Sequence, residues 1–385
     1  MKSVVSIILP GKIKKPIRFI FLSAMVALFL VAQGWNTAPY ARLTLERPDF
    51  GYGVNIADLK NAPYVNEMGF QWIKGFVGWD SLEPKPGEYN WTDLSKVVVA
   101  ARDARLGLLL RIDRPPAWAH PDNSEPNAPP DPAFLDAWGN MIEKVAQRSR
   151  GHVAAYEIWN EPNLSWEWGQ RPPDPVYYVE MLKVAYQRIK AVDPEVLVVS
   201  AGLAPTQGDG GNQSTDNLTY LRKMYELGAG AYFDVLASHP YGFALPPDAD
   251  PQRAASFRSA EMERRVMVEF GDAGKPVWAT ESGWFLDPAA VGLGACRESP
   301  PLKDTLWQAV DPDKQARYTT DAFQYAYENW PWLSAIFLFN LDFATAPWYP
   351  DPCEPMKFYS LLGPDGAPRA AFDALRDMPK PGSGT

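Results

Sequence analysis

The sequence predicts an α/β fold, a single-domain (β/α)8 TIM barrel, and three observations carry that prediction. From residue 50 onward, short β-rich apolar runs alternate with longer stretches of helical period, and eight such units can be counted. Connections from helix to strand are short and often marked by glycine, as at Met68-Gly69-Phe70 and Arg105-Leu106-Gly107. Connections after the strands are long, at 113–131, 203–216, 242–250, 282–311 and 343–357. Long loops on one rim only are the layout of a barrel whose site is built at the C-terminal ends of its strands. A doubly wound open sheet is the alternative, and it is disfavoured because no glycine-rich phosphate loop follows the first strand.

In chain order, the apolar runs place strands at 50–56, 72–79, 107–112, 153–159, 195–201, 233–239, 276–281 and 333–340. Helices are expected at 94–105, 132–150, 175–192, 217–227, 251–270 and 312–329, with a weaker first one around 59–68. The barrel domain is set at 50–378, and 379–385 reads as a polar tail. Prolines number 38, about twice the usual share, and cluster between the periodic segments, so the loops are stiffened.

Hydrophobic residues make up 46% of the 385 residues, enough to bury a large core. The formal net charge of −9 argues against a basic face for phosphate neutralisation, so no nucleic-acid partner is expected. Lys12, Lys14, Lys15 and Arg18 precede an apolar run at 19–32, the layout of a signal peptide or signal anchor over 1–35, followed by a linker at 36–49. The mature chain is therefore expected outside the cytoplasm, either secreted or tethered to the membrane through residues 17–35. A spanning helix needs about 20 apolar residues, and Ala32-Gln33-Gly34 is a passable cleavage site, so both outcomes stay open. In that compartment the two cysteines, Cys296 and Cys353, are expected to form a disulfide.

Two strand ends carry the chemistry. The fourth strand reads Tyr156-Glu157-Ile158-Trp159-Asn160-Glu161-Pro162-Asn163, and the seventh Val277-Trp278-Ala279-Thr280-Glu281-Ser282-Gly283-Trp284. Strands that each end in a glutamate can present both carboxylates to one pocket. Glycoside hydrolysis needs such a pair, one to protonate the leaving oxygen and one to attack the anomeric carbon or activate water.

These motifs resemble those of the clan A glycoside hydrolases, retaining enzymes with the acid/base after strand four and the nucleophile after strand seven. Asn160-Glu161-Pro162 and Thr280-Glu281-Ser282-Gly283 carry the resemblance, joined by the segment Trp79 through Trp91 and by His239-Pro240-Tyr241-Gly242. The chain looks closest to family 39 and its bacterial exopolysaccharide-associated relatives. The resemblance implies Glu161 as general acid/base, Glu281 as nucleophile, Asn160 as a partner of the sugar 2-hydroxyl, and His239 and Tyr241 as pocket lining. The clan usually has an arginine on strand two; here Lys74 stands there, and Arg111 on strand three is a further candidate. A retaining hydrolase of β-linked glycans follows, acting on an extracellular oligo- or polysaccharide as a monomer. A non-catalytic glycan-binding barrel of an export system and a transglycosylase are the alternatives.

Among other residues, Glu157 reads as a structural counter-charge to Lys74 or Arg111, and Glu83 and Glu88 as solvated or local. Asp342 is open between substrate contact and loop structure. His120 and His152 lack partners at metal-ligand spacing, and neither a metal nor another cofactor is expected. Of the 15 tryptophans, Trp79 and Trp284 are expected to meet substrate, since aromatic faces suit pyranose rings.

Overall fold

The computed structural model describes residues 50–252 and 255–383. The expected signal or anchor segment and its linker lie outside the described residues, and among those described no helix is long and apolar enough to cross a membrane. Eight strands run β1 (Gly51–Asn55), β2 (Trp72–Gly78), β3 (Gly107–Asp113), β4 (Ala155–Ile158), β5 (Leu197–Val199), β6 (Leu236–Ser238), β7 (Val277–Ser282) and β8 (Leu333–Leu338). They form one parallel sheet in the order β5-β4-β3-β2-β1-β8-β7-β6. A bridge between Val199 and Val235 joins the two outer strands, so the sheet curls into a nearly closed barrel.

The helices that follow the strands are α1 (Ala62–Glu67), α2 (Thr92–Ala104), α3 (Leu135–Ser149), α4 (Pro175–Val192), α5 (Asn217–Glu226), α6 (Ser259–Glu269), α7 (Pro312–Asn329) and α8 (Ala370–Asp377). Asp-Pro pairs start two of them. The Asp174 carboxylate accepts from the Val176 and Tyr177 amides at α4, and Asp311 accepts from Lys314 at α7. In both, proline at the first helical position costs no hydrogen bond that the helix would have made. The helix expected at 251–270 starts only at Ser259. Ahead of it, Phe257 drops beneath Trp284 and Trp330, and the Ser256 hydroxyl bonds Ala249, fixing a turn instead.

Inward parity sorts the barrel interior into layers. The lower layer is apolar, built from Leu109, Ala155, Val199, Val235, Ala237, Trp278, Ala335 and Phe337. Phe337 fits because its registered neighbour on β1 is glycine: a Cβ on Gly53 would lie 2.4 Å from its ring. Two residues further along their strands come Lys74, Arg111, Glu157 and His239, so a charged layer rests on a dry plug at the C-terminal end.

Candidate active site

The charged layer is organised around Glu281, 5% exposed at the end of β7. A register shift against β8 between Ala279 and Ser282 interrupts the strand's alternation at this point. Lys74 Nζ lies 3.2 Å from one carboxylate oxygen and Arg111 Nη1 3.5 Å from the same atom. The Tyr241 hydroxyl donates to the other oxygen at 2.8 Å. Burial alone would raise the Glu281 pKa, but His239, Lys74, Arg111 and the Tyr241 bond outweigh it and hold it at about 2. Glu281 is therefore an anion at neutral pH.

Lys74 also pairs with Glu157 at 2.7 Å, both nearly without solvent exposure. Arg111 pairs with Asp113 at 2.9 Å and donates to Asn160 Oδ1 at 3.0 Å. Both expected cations thus reach the same carboxylate, one from β2 and one from β3.

Glu161 sits just past β4, on a short stretch where the backbone is strained. Trp159 has φ +78° and Glu161 has φ +39°, conformations that L residues with bulky side chains rarely adopt. The stretch is held by the Glu161 amide donating to Gly202 O at 3.0 Å and by Trp159 Nε1 donating to Glu167 O at 2.9 Å. His239, at the end of β6, places Nδ1 2.8 Å from a Glu161 oxygen. Burial would depress the imidazolium, but Glu281 and Glu161 together outweigh it and the His239 pKa is raised. The imidazole is thus held against Glu161 at hydrogen-bond distance.

A ligand oxygen of Glu161, one of Glu281 and a His239 ring nitrogen all lie within 4.8 Å of one another. Such a trio could hold a cation by distance alone. Glu281 is already contacted by an ammonium and a guanidinium, however, and a divalent ion there would meet their repulsion.

The structure also separates site from scaffold. Glu83, expected to be solvated or local, is buried and local: it accepts from Trp79 Nε1 at 2.8 Å and from the Gly87 amide at 2.7 Å. Glu88 stays exposed and pairs with Lys85. Asp342 accepts from the Ala57 and Asp58 amides and from Asn61, which makes it a clamp on the loop after β1. Both ring nitrogens of His120 face backbone carbonyls, of Pro115 and Asn123. The expectation that Trp79 and Trp284 meet substrate is corrected: they are 0% and 1% exposed, and Trp284 Nε1 is spent on Leu245 O. Each fills core volume beneath a loop and offers no free ring face.

One site residue escaped the sequence reading. Glu167, half-buried on a 3-10 turn (Ser165–Glu167), bonds Asn160 and faces Glu161, Arg111 and Asp113. Burial, then the nearby Glu161 charge, pushes its pKa up to about 8, so it is uncharged at neutral pH. Its only sequence signal is a third acid six positions past Glu161, on a loop with no periodicity to give its direction.

A barrel that brings two carboxylates from the ends of β4 and β7 together above a dry plug has the carboxylate pair that glycosidic-bond cleavage needs. The comparisons agree. The family model described as Cellulase (glycosyl hydrolase family 5) matches residues 50–283, more than half of the chain, and the chain belongs to that family. That family is one of the clan A glycoside hydrolases. No curated protein matches it. Among solved structures it is similar to a family 39 glycoside hydrolase from Bacteroides cellulosilyticus, at TM-score 0.63 and 20% identity over 86% of this chain and 64% of that one. A monomeric beta-xylosidase from Caulobacter crescentus follows at TM-score 0.58 and 16% identity, covering 85% of this chain and 67% of that one. Xylanase 10B from Thermotoga maritima gives TM-score 0.54 and 15% identity, covering 86% and 95%. The chain thus spans a little under two thirds of the family 39 enzyme from Bacteroides.

Proposed function

We propose that the protein is a retaining glycoside hydrolase that cleaves β-linked glycans of an extracellular polysaccharide by double displacement. The observation that carries this reading is the separation of the carboxylates. Oxygens of Glu161 and Glu281 lie within 4.8 Å, close to the roughly 5 to 5.5 Å of retaining enzymes and short of the roughly 6.5 to 9.5 Å that admits an attacking water. In the first step Glu281 attacks the anomeric carbon, and Glu161, positioned by its contact with His239, protonates the departing oxygen. Esterification removes the Glu281 charge. Glu161 then takes a proton from water, which attacks the ester and frees the sugar with retained configuration. Asn160, oriented by Arg111, is the partner for the 2-hydroxyl. The β-linkage is supported by the similarity to a beta-xylosidase and a xylanase, and an extracytoplasmic setting by the Cys296–Cys353 bond.

The test separates the two glutamates. Glu281→Gln should abolish turnover of every substrate. Glu161→Ala should still be glycosylated by substrates with good leaving groups, and added azide should restore turnover and give a β-glycosyl azide from a β-substrate. An α-azide, or equal loss in both variants without rescue, would reject the roles.

A further inference from the structure

Glu167 is a third acid beside the reacting pair, and the double-displacement steps leave it without a task. Its place is nonetheless carefully held. The turn that carries it (Ser165–Glu167) is fastened to the end of β4 by the Trp159 indole, whose Nε1 donates to the Glu167 carbonyl at 2.9 Å. From the loop after β3, the Asn127 amide donates to Trp166 O at 3.3 Å and to a Glu167 carboxyl oxygen at 3.4 Å. The same carboxyl takes a hydrogen bond from Asn160, the residue just ahead of Glu161. A long side chain is thus pinned at both its backbone and its head group, which sets aside the rotamer freedom a glutamate usually keeps.

The contact matters because of what Asn160 is. The two ends of a primary amide have nearly the same shape, but the oxygen only accepts and the nitrogen only donates. Rotation about the last side-chain torsion is soft, so neighbours decide which end faces a ligand. Arg111 Nη1 decides at one end, donating to Asn160 Oδ1 at 3.0 Å. Glu167 decides at the other, accepting one of the two Nδ2 hydrogens. The second hydrogen remains for a ligand.

Charge explains why an acid can stand here. An ionised carboxylate beside Glu161 would make that residue hold its proton more tightly. Burial and the Glu161 charge keep Glu167 uncharged at neutral pH, and an uncharged carboxyl still accepts from Asn160 through its carbonyl oxygen.

We propose that Glu167 is a positioning residue: opposite Arg111, it locks the Asn160 amide with Nδ2 toward the sugar 2-oxygen, and so sets selectivity for glycans whose cleaved residue carries a free 2-hydroxyl. Bonds to the 2-hydroxyl strengthen in the transition state, so the lock acts on kcat more than on KM. The proposal rests on the glycosidase reading above and adds how the site recognises position 2 of the sugar.

The experiment pairs an aryl β-glycoside that the wild type turns over with its 2-deoxy counterpart. Glu167→Met, which keeps the length and removes the acceptor, should lower kcat on the 2-hydroxy substrate about tenfold and leave the 2-deoxy substrate within about twofold. Glu167→Gln, close in shape to the protonated acid, should recover most of that loss. In an Asn160→Ala background, Glu167→Met should cost nothing further, because the two residues act as one unit. Melting curves check folding, and Glu167→Asp, which keeps the carboxyl but withdraws it by one methylene, repeats the comparison with the same preferential loss should the Met variant fail to melt cooperatively. Parallel losses on both substrates, no loss on either, a Gln variant as impaired as Met, or full additivity with Asn160→Ala overturns the proposal. Turnover surviving Glu281→Gln would instead sink the glycosidase reading, so the two failures are distinguishable.

Discussion

At the end of β7, Glu281 is ringed by Lys74 at 3.2 Å, Arg111 at 3.5 Å and the Tyr241 hydroxyl at 2.8 Å. At the end of β4, Glu161 meets a single histidine at 2.8 Å and an uncharged third carboxyl, Glu167. The same side chain is thus placed in two electrostatic settings within one pocket. Positive charge surrounds Glu281, the nucleophile of the proposed mechanism, and an imidazole accompanies Glu161, its proposed acid. On the double-displacement reading, environment more than residue type separates nucleophile from acid.

The comparison breaks most severely at Lys74. Lys74→Met keeps the volume but leaves Glu157 and Glu281 buried without their shared cation, and loss of one partner of a buried ion pair costs about 3–5 kcal/mol. Urea unfolding should show that loss together with a collapse of turnover. A cost under about 1 kcal/mol would mean that Lys74 is a surplus charge.

The β4 side is probed through a residue that touches no carboxylate. A Cβ on Gly202 would lie 2.2 Å from the His239 ring, and His239 is fully enclosed, so Gly202→Ala must displace the imidazole from Glu161. Turnover of substrates with poor leaving groups should fall by about 10²-fold, and by much less where the leaving group needs no proton. Equal losses for both substrate types would show that His239 serves the nucleophile instead.

The smallest effects are in stability against pH, and they have opposite signs. Glu281 has a folded pKa of about 2 against an ordinary 4.5, so its charge adds stability above pH 4.5 that is lost as pH falls through 2. Glu167 is raised from 4.5 to about 8: over that window the folded chain keeps a proton the unfolded chain has released, and stability declines as pH rises. Glu167→Gln should therefore melt a few degrees higher than wild type at pH 8 and above, with the gap closing toward pH 4.5. Glu281→Gln should flatten the acid limb between pH 4.5 and 2. A Glu167→Gln variant with an unchanged profile would place that carboxyl in solvent.

How far the sequence reveals this site depends on where a residue sits relative to the strands. Lys74, Arg111, Glu157 and His239 lie within or at the end of strands, where a period of two fixes which side chains point inward, and their convergence is readable from parity. Glu167 lies on an irregular loop, and its direction is set by contacts such as Trp159 Nε1 to Glu167 O, which nothing local announces. Trp79 and Trp284 fail in the opposite sense. Nearness to a catalytic residue in sequence does not expose a ring, and both turn beneath their loops, Trp284 filling the space left by Gly242, where a Cβ would lie 2.0 Å from the indole. The late start of α6 has the same origin, a tertiary contact by Phe257 overriding helical period.

The Cys296–Cys353 bond, with Cα atoms 5.1 Å apart, makes a hoop of the chain between them. Trp307, helix α7, strand β8 and Trp348 all hang on that hoop. Closing it contributes about 4 kcal/mol in the chain-entropy picture. It also ties the loops after β7 and β8, which carry Trp307 and Trp348, to a single covalent link, so that one thiol exchange slackens both. Protein treated with reductant should melt lower and become open to limited proteolysis in both loops together; an unchanged cleavage pattern would mean that packing alone holds the rim. Oxidation state then sets how firmly one side of the barrel mouth is held.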